Sequence, residues 1–169
     1  MSEIINKVAN STLVTLDLEG VLDKETPRLT IDLAGNLFQG LVLREKDFRA
    51  YIKEHDWSIY KEGYVNVFCS ADAIIPNWAY MLVASKLSGN AKNFVFGDAT
   101  ALEQEVLRKN IAAIDAQTYL NTKLVIKGCA ALSEPEFAFF EITKKLTPVV
   151  SSIMFGEPCS TVPVFKKGR

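Results

Sequence analysis

From Tyr64 to Phe165 the sequence alternates short apolar runs with longer helical patterns, and that alternation restricts the chain to an α/β fold. The strand-like runs are YVNVFCS (64–70), NFVFGD (93–98), KLVIKGCA (123–130) and SSIMFGEPCSTVP (151–163). Between them lie NWAYMLVASKL (77–87), ALEQEVLRKNIAAI (101–114) and EPEFAFFEITKKLTPVV (134–150). Strands joined by helices of this length predict a three-layer, mostly parallel, Rossmann-like sheet. Right-handed crossovers give the strand order 2-1-3-4, counting the four core strands in chain order. Val162–Phe165 is expected as an edge segment, because Pro163 belongs on an edge.

A chain of 169 residues suits one well-cored domain. The expected divisions are an N-terminal β-hairpin region (1–43), a helix (44–57) and the α/β core (64–165). The hairpin rests on partial alternation in residues 12–18 and 28–33, with turn residues Gly20 and Asp23 to Pro27 between them. Trp78 to Ala84 is apolar almost all round. A helix of that kind is expected to be covered on two sides, by the sheet and by another element or subunit, which introduces a homodimer. Asp98 is placed to cap the following helix, and Ser133 with Glu136 has the spacing of a capping box.

The formal net charge of −1 argues against nucleic acid or an anionic membrane surface as partner. The longest apolar runs fall far short of the ~20 residues that span a bilayer. Met1 to Asn6 lacks the basic start and apolar run of a signal peptide, so a cytoplasmic protein is expected. In that compartment three cysteines are reduced thiols or metal ligands rather than disulfides.

Cys69, Cys129 and Cys159 each fall at or just after the carboxyl end of an expected strand, and Asp98 holds that place on the remaining one. Ligands bind at that edge of an open α/β sheet. His55, the one histidine, sits at the expected carboxyl end of the 44–57 helix. Three thiolates and an imidazole form a standard tetrahedral zinc set, and the same donors suit iron or an iron–sulfur cluster. Asp72, Asp98 and Glu157 are spare oxygen donors. The local spacing of familiar metal motifs is absent, so strand-end placement carries this reading. Two others stand beside it. One is a metal-free thiol enzyme or carrier, with a strand-end cysteine as nucleophile and His55 as base. The other is a non-catalytic accessory or interaction protein whose cysteines are small core residues. Signatures of nucleotide cofactors and of the hydrolase elbow are absent.

The strings NKVANSTLVTLDLE (6–19), HDW (55–57), CSADAIIPNWAYM (69–81), FGD (96–98), VIKGC (125–129) and SIMFGEPCSTVPV (152–164) together resemble domain-of-unknown-function family 2480, an uncharacterised bacterial group. The resemblance covers nearly the whole chain. It carries no assigned reaction, and it implies iron–sulfur assembly proteins as partners.

Overall fold

Short runs rich in valine, leucine, isoleucine and phenylalanine form the strands, and the helical patterns between them form the helices. The computed structural model describes residues 13–128, 132–157 and 159–168. In chain order these hold β1 (Leu13–Asp17), β2 (Arg28–Asp32), α1 (Glu45–Glu54), β3 (Tyr64–Phe68), α2 (Asn77–Leu87), β4 (Asn93–Phe96), α3 (Ala99–Ala113), β5 (Lys123–Lys127), α4 (Pro135–Leu146), β6 (Ser152–Glu157) and β7 (Ser160–Lys166). The chain is α/β with parallel strands, and its four expected core strands are β3, β4, β5 and β6.

The single sheet in the order 2-1-3-4 is corrected. There are two sheets, β2-β3-β4 and β1-β5-β6-β7. The β3–β4 and β5–β6 pairs form as expected, both parallel. The β3–β5 pair that would have joined them does not form. The second edge of β3 is taken by β2, and that of β5 by β1, again in parallel. The expected N-terminal hairpin is thereby corrected too. β1 and β2 do not pair with each other, because each completes a different sheet. β7 is an antiparallel edge strand carrying Pro163, as its proline requires.

The chain divides into two compact units, Met1–Leu22 with Val106–Arg169, and Asp23–Glu105. These boundaries coincide with none of the divisions expected from the sequence. Each unit has its own buried cluster. In the Asp23–Glu105 unit it is built on Phe48, Ile52, Val65, Ala79, Val83 and Leu87. In the other it is built on Leu107, Ile111, Leu124, Ala138, Ile142 and Leu146.

The six residues named in each cluster correspond by a shift of 59 positions. The shift carries Phe48 to Leu107, Val65 to Leu124, Ala79 to Ala138 and Leu87 to Leu146. Local structure follows the same rule. Asp56 caps a 3-10 turn at Trp57–Tyr60 by accepting from Ser58 N–H, and Asp115 caps Ala116–Tyr119 by accepting from Gln117 N–H. Pro76 and Pro135 stand at the starts of α2 and α4. Arg49 lies over the Trp78 ring at 5.7 Å and Arg108 over the Phe137 ring at 5.0 Å. Gly97 and Gly156 both take positive φ, 131° and 114°, where a side chain would be strained.

The N-terminal strands repeat as well. Thr15-Leu16-Asp17-Leu18-Glu19-Gly20 and Thr30-Ile31-Asp32-Leu33-Ala34-Gly35 end β1 and β2 and lead into 3-10 turns. Each aspartate accepts from the N–H two residues on at 2.9 Å, and each following leucine is fully buried. One structural plan is therefore used twice in the chain.

Candidate functional site

The two described cysteines expected to share a metal belong to different sheets. Cys69 follows β3 in one sheet, and Cys159 lies in the hairpin between β6 and β7 of the other. Cys129 lies outside the described residues. His55 caps the carboxyl end of α1, as its position implied. Its Nε2 is 3.0 Å from the Tyr60 hydroxyl, and its ring packs on Tyr51, Trp57 and Tyr60. Tyr60 lies just before β3 begins, whereas Cys69 lies just after it ends. A strand of this length separates the two by roughly 16 Å.

Among the described residues no group of three or more histidine, cysteine, aspartate or glutamate side chains could hold a metal ion. The cysteine-rich metal site is therefore corrected. Strand-end placement located Cys69 after β3 and Cys159 after β6, and those strands belong to different sheets. The same separation removes His55 as a base for Cys69, whose thiol instead donates to the Ala71 carbonyl at 3.6 Å. Of the described cysteines, Cys69 is half-buried and packs against the buried cluster of its unit, and Cys159 is exposed.

The carboxyl edge of the β2-β3-β4 sheet is knit by hydrogen bonds. Asp32 accepts from Ser70 N–H at 3.0 Å and from the Ser70 hydroxyl at 2.6 Å. Together with the Ala34 N–H, these donors outweigh partial burial and hold its carboxyl below the usual range. Asp98 accepts from Ala101 N–H at 3.0 Å, the helix cap expected of it. These carboxylates are occupied in fixing loops. At α4 the N-cap is Glu134 rather than Ser133, and its side chain makes no capping hydrogen bond, so the expected Ser133 capping box is corrected.

The open surface lies elsewhere. α2 buries Ala79, Val83 and Leu87, one face at i, i+4 and i+8. Its opposite face is left to solvent, with Met81 69% exposed, so the expected cover on two sides is missing in the single chain. α4 does the same: Ala138, Ile142 and Leu146 are buried, and Phe140 is 69% exposed. Beside each helix, the last phenylalanine of the neighbouring strand is also open, Phe96 at 72% and Phe155 at 41%. Each is held edge-on by an aromatic of the helix. Tyr80 meets Phe96 at 5.0 Å and 88°, and Phe139 meets Phe155 at 5.2 Å and 74°.

These side chains line two apolar grooves. The α2 groove has Val67, Tyr80, Met81, Ala84, Phe94, Val95 and Phe96 along it, with a volume of about 320 Å³. The α4 groove has Ile126, Phe139, Phe140, Thr143, Ile153, Met154 and Phe155, with a volume of about 760 Å³. Every member of the first list maps to the second by the 59-residue shift. The α4 groove is larger because Val164 of β7 extends it and Pro135, Glu136 and Lys144 border it. The signal that could have found the grooves was the internal repeat, visible as Asp56/Asp115, Tyr60/Tyr119, Pro76/Pro135, Ala79/Ala138 and Phe96-Gly97/Phe155-Gly156.

Among the described residues no helix is long and apolar enough to cross a membrane. A family model described as "Protein of unknown function (DUF2480)" matches residues 2–167. No curated protein and no solved structure matches the chain.

Proposed function

We propose that this chain, which belongs to the DUF2480 family by the match over residues 2–167, is a non-catalytic interaction protein that docks protein surface through its apolar grooves. One observation carries this reading: the exposed apolar positions are large and apolar in both units. Met81 and Phe140, Phe96 and Phe155, and Tyr80 and Phe139 stand at equivalent places. Solvent-facing positions that serve nothing have no reason to stay apolar twice, and contiguous apolar surface marks interaction sites. By contrast, His55 in one unit is matched by Ile114 in the other, and Asn66 by Val125. A cytoplasmic setting accords with the free thiols of Cys69 and Cys159.

The probe bis-ANS, which fluoresces on apolar surface, tests the groove directly. Titrated into the folded chain, it should light up. Met81→Glu and Phe140→Glu together should abolish most of the signal. Because both side chains are exposed, the melting temperature should hardly move. A dark wild-type protein, or a signal that survives the double substitution, would refute the reading.

A further inference from the structure

Resting on the groove reading, we infer that the α4 groove is closed by the α4 groove of a second copy of this chain, in a two-fold dimer centred on Phe140. A two-fold interface requires a patch that complements itself. The outer face of α4 is such a patch. Glu136, Phe140 and Lys144 are all exposed and lie four residues apart, so they stack along one side of the helix. Phe140 is the midpoint, with the two opposite charges about 6 Å to either side at 1.5 Å per residue. When two such helices pack antiparallel, Phe140 meets Phe140, and Glu136 of each copy meets Lys144 of the other. Both charge pairs form at once, and neither helix presents like charge to its partner.

The comparison with α2 explains the choice of groove. Its corresponding stripe is Asn77, Met81 and Ser85, exposed but uncharged, and its groove is less than half the volume. It has apolar surface without the charges that would fix an antiparallel register. Within the chain, Lys144 is 3.6 Å from Glu141 on its own helix, and Lys144 remains largely exposed. A pair of that kind is weak and leaves the ammonium free to turn toward a partner. The occupant is thus a surface with Phe140 at its centre and opposite charges one turn away on each side, which this chain itself supplies.

Sedimentation velocity on the full chain over a wide micromolar range tests the dimer. The wild type should associate reversibly. Glu136→Lys and Lys144→Glu should each weaken association about tenfold or more, since each places like charges opposite one another twice. The double swap Glu136→Lys with Lys144→Glu should restore it, because opposite charges then face each other again. Met81→Glu, on the other groove, should leave association intact. Circular dichroism melts confirm that each variant is folded. A wild type that stays monomeric overturns the dimer, as does a double swap no better than either single change. Association lost in Met81→Glu but kept in Phe140→Glu would overturn it in favour of the α2 groove. Saturation of the groove by a small apolar molecule copurified with a monomer would also overturn it. Read at concentrations too low for association, where both grooves are open, the bis-ANS dependence on Met81 and Phe140 is a separate readout, so the groove reading stands or falls independently.

Discussion

Asp23 shows how much one carboxylate can organise. It accepts from the Thr26 N–H at 3.0 Å, the Thr26 hydroxyl at 2.7 Å and the Tyr64 hydroxyl at 2.8 Å, with Lys92 at 3.4 Å. The Thr26 N–H and hydroxyl, then Tyr64, hold its carboxyl far below the usual range, against a smaller opposing effect of burial. A folded-state pKa below the unfolded value stabilises the fold at pH values above the unfolded pKa. That stability is lost as pH falls below about 4 toward the folded pKa. We expect Asp23→Asn to lower stability by about 1–3 kcal/mol at neutral pH. It should also flatten the acid limb, so that wild type and variant converge as pH drops. Urea unfolding at pH 7 and pH 3 measures both, and an unchanged acid limb would contradict the assignment. At this scale the sequence is legible where a residue acts on its near neighbours. Asp98 as a cap and His55 at a helix end were readable for that reason. The grouping of Cys69, Cys129, Cys159 and His55 was not, because it depends on which strands pair, and pairing is nonlocal.

Elements formed where local pattern alone decides them, and their partners escaped reading. α1, α2, α3 and α4 and the strands β3 to β6 follow from periodicity and turn residues. β1 and β2 look like neighbours joined by a turn, yet β1 aligns with β5, Leu13 opposite Lys123, across a long stretch of chain. Nothing in a five-residue strand encodes that distance. The repeat gives a sharper view of one element. β3 carries Asn66 where β5 carries Val125, and both are buried. Asn66 accepts from the Thr30 hydroxyl at 2.8 Å and donates to the Gly97 carbonyl at 3.1 Å, bridging β2 to the end of β4. Since the same plan accommodates valine, Asn66→Val should cost only about 1 kcal/mol. Asn66→Ala leaves the same groups unpaired and adds a cavity, so it should cost about 2–3 kcal/mol. Denaturant midpoints for the two variants check the order, and a reversed order would show that the bridge, not packing, holds β3.

At the level of the whole chain there are two cores, one per unit, and the composition that suggested a single well-cored domain cannot tell one core from two of the same plan. Leu87 and Leu146 are fully buried equivalents in separate clusters. Each leucine-to-alanine change should cost about 2–5 kcal/mol. Hydrogen exchange should locate the damage: Leu87→Ala speeds exchange in β2, β3 and β4, and Leu146→Ala in β1, β5 and β6. Equal loss of protection everywhere in either variant would contradict two separate cores. The order of the chain adds a consequence for synthesis. One unit is written continuously from Asp23 to Glu105, while the other is split around it. On the ribosome β1 emerges first but must wait for β5, roughly a hundred residues later, which is on the order of 5–20 s at ordinary elongation rates. The inserted unit can complete its sheet during that interval. β1 meanwhile remains an unpaired apolar strand, a natural client for a chaperone that binds nascent chains. Slow codons placed after Glu105 would lengthen its exposure without changing a single residue of the finished protein.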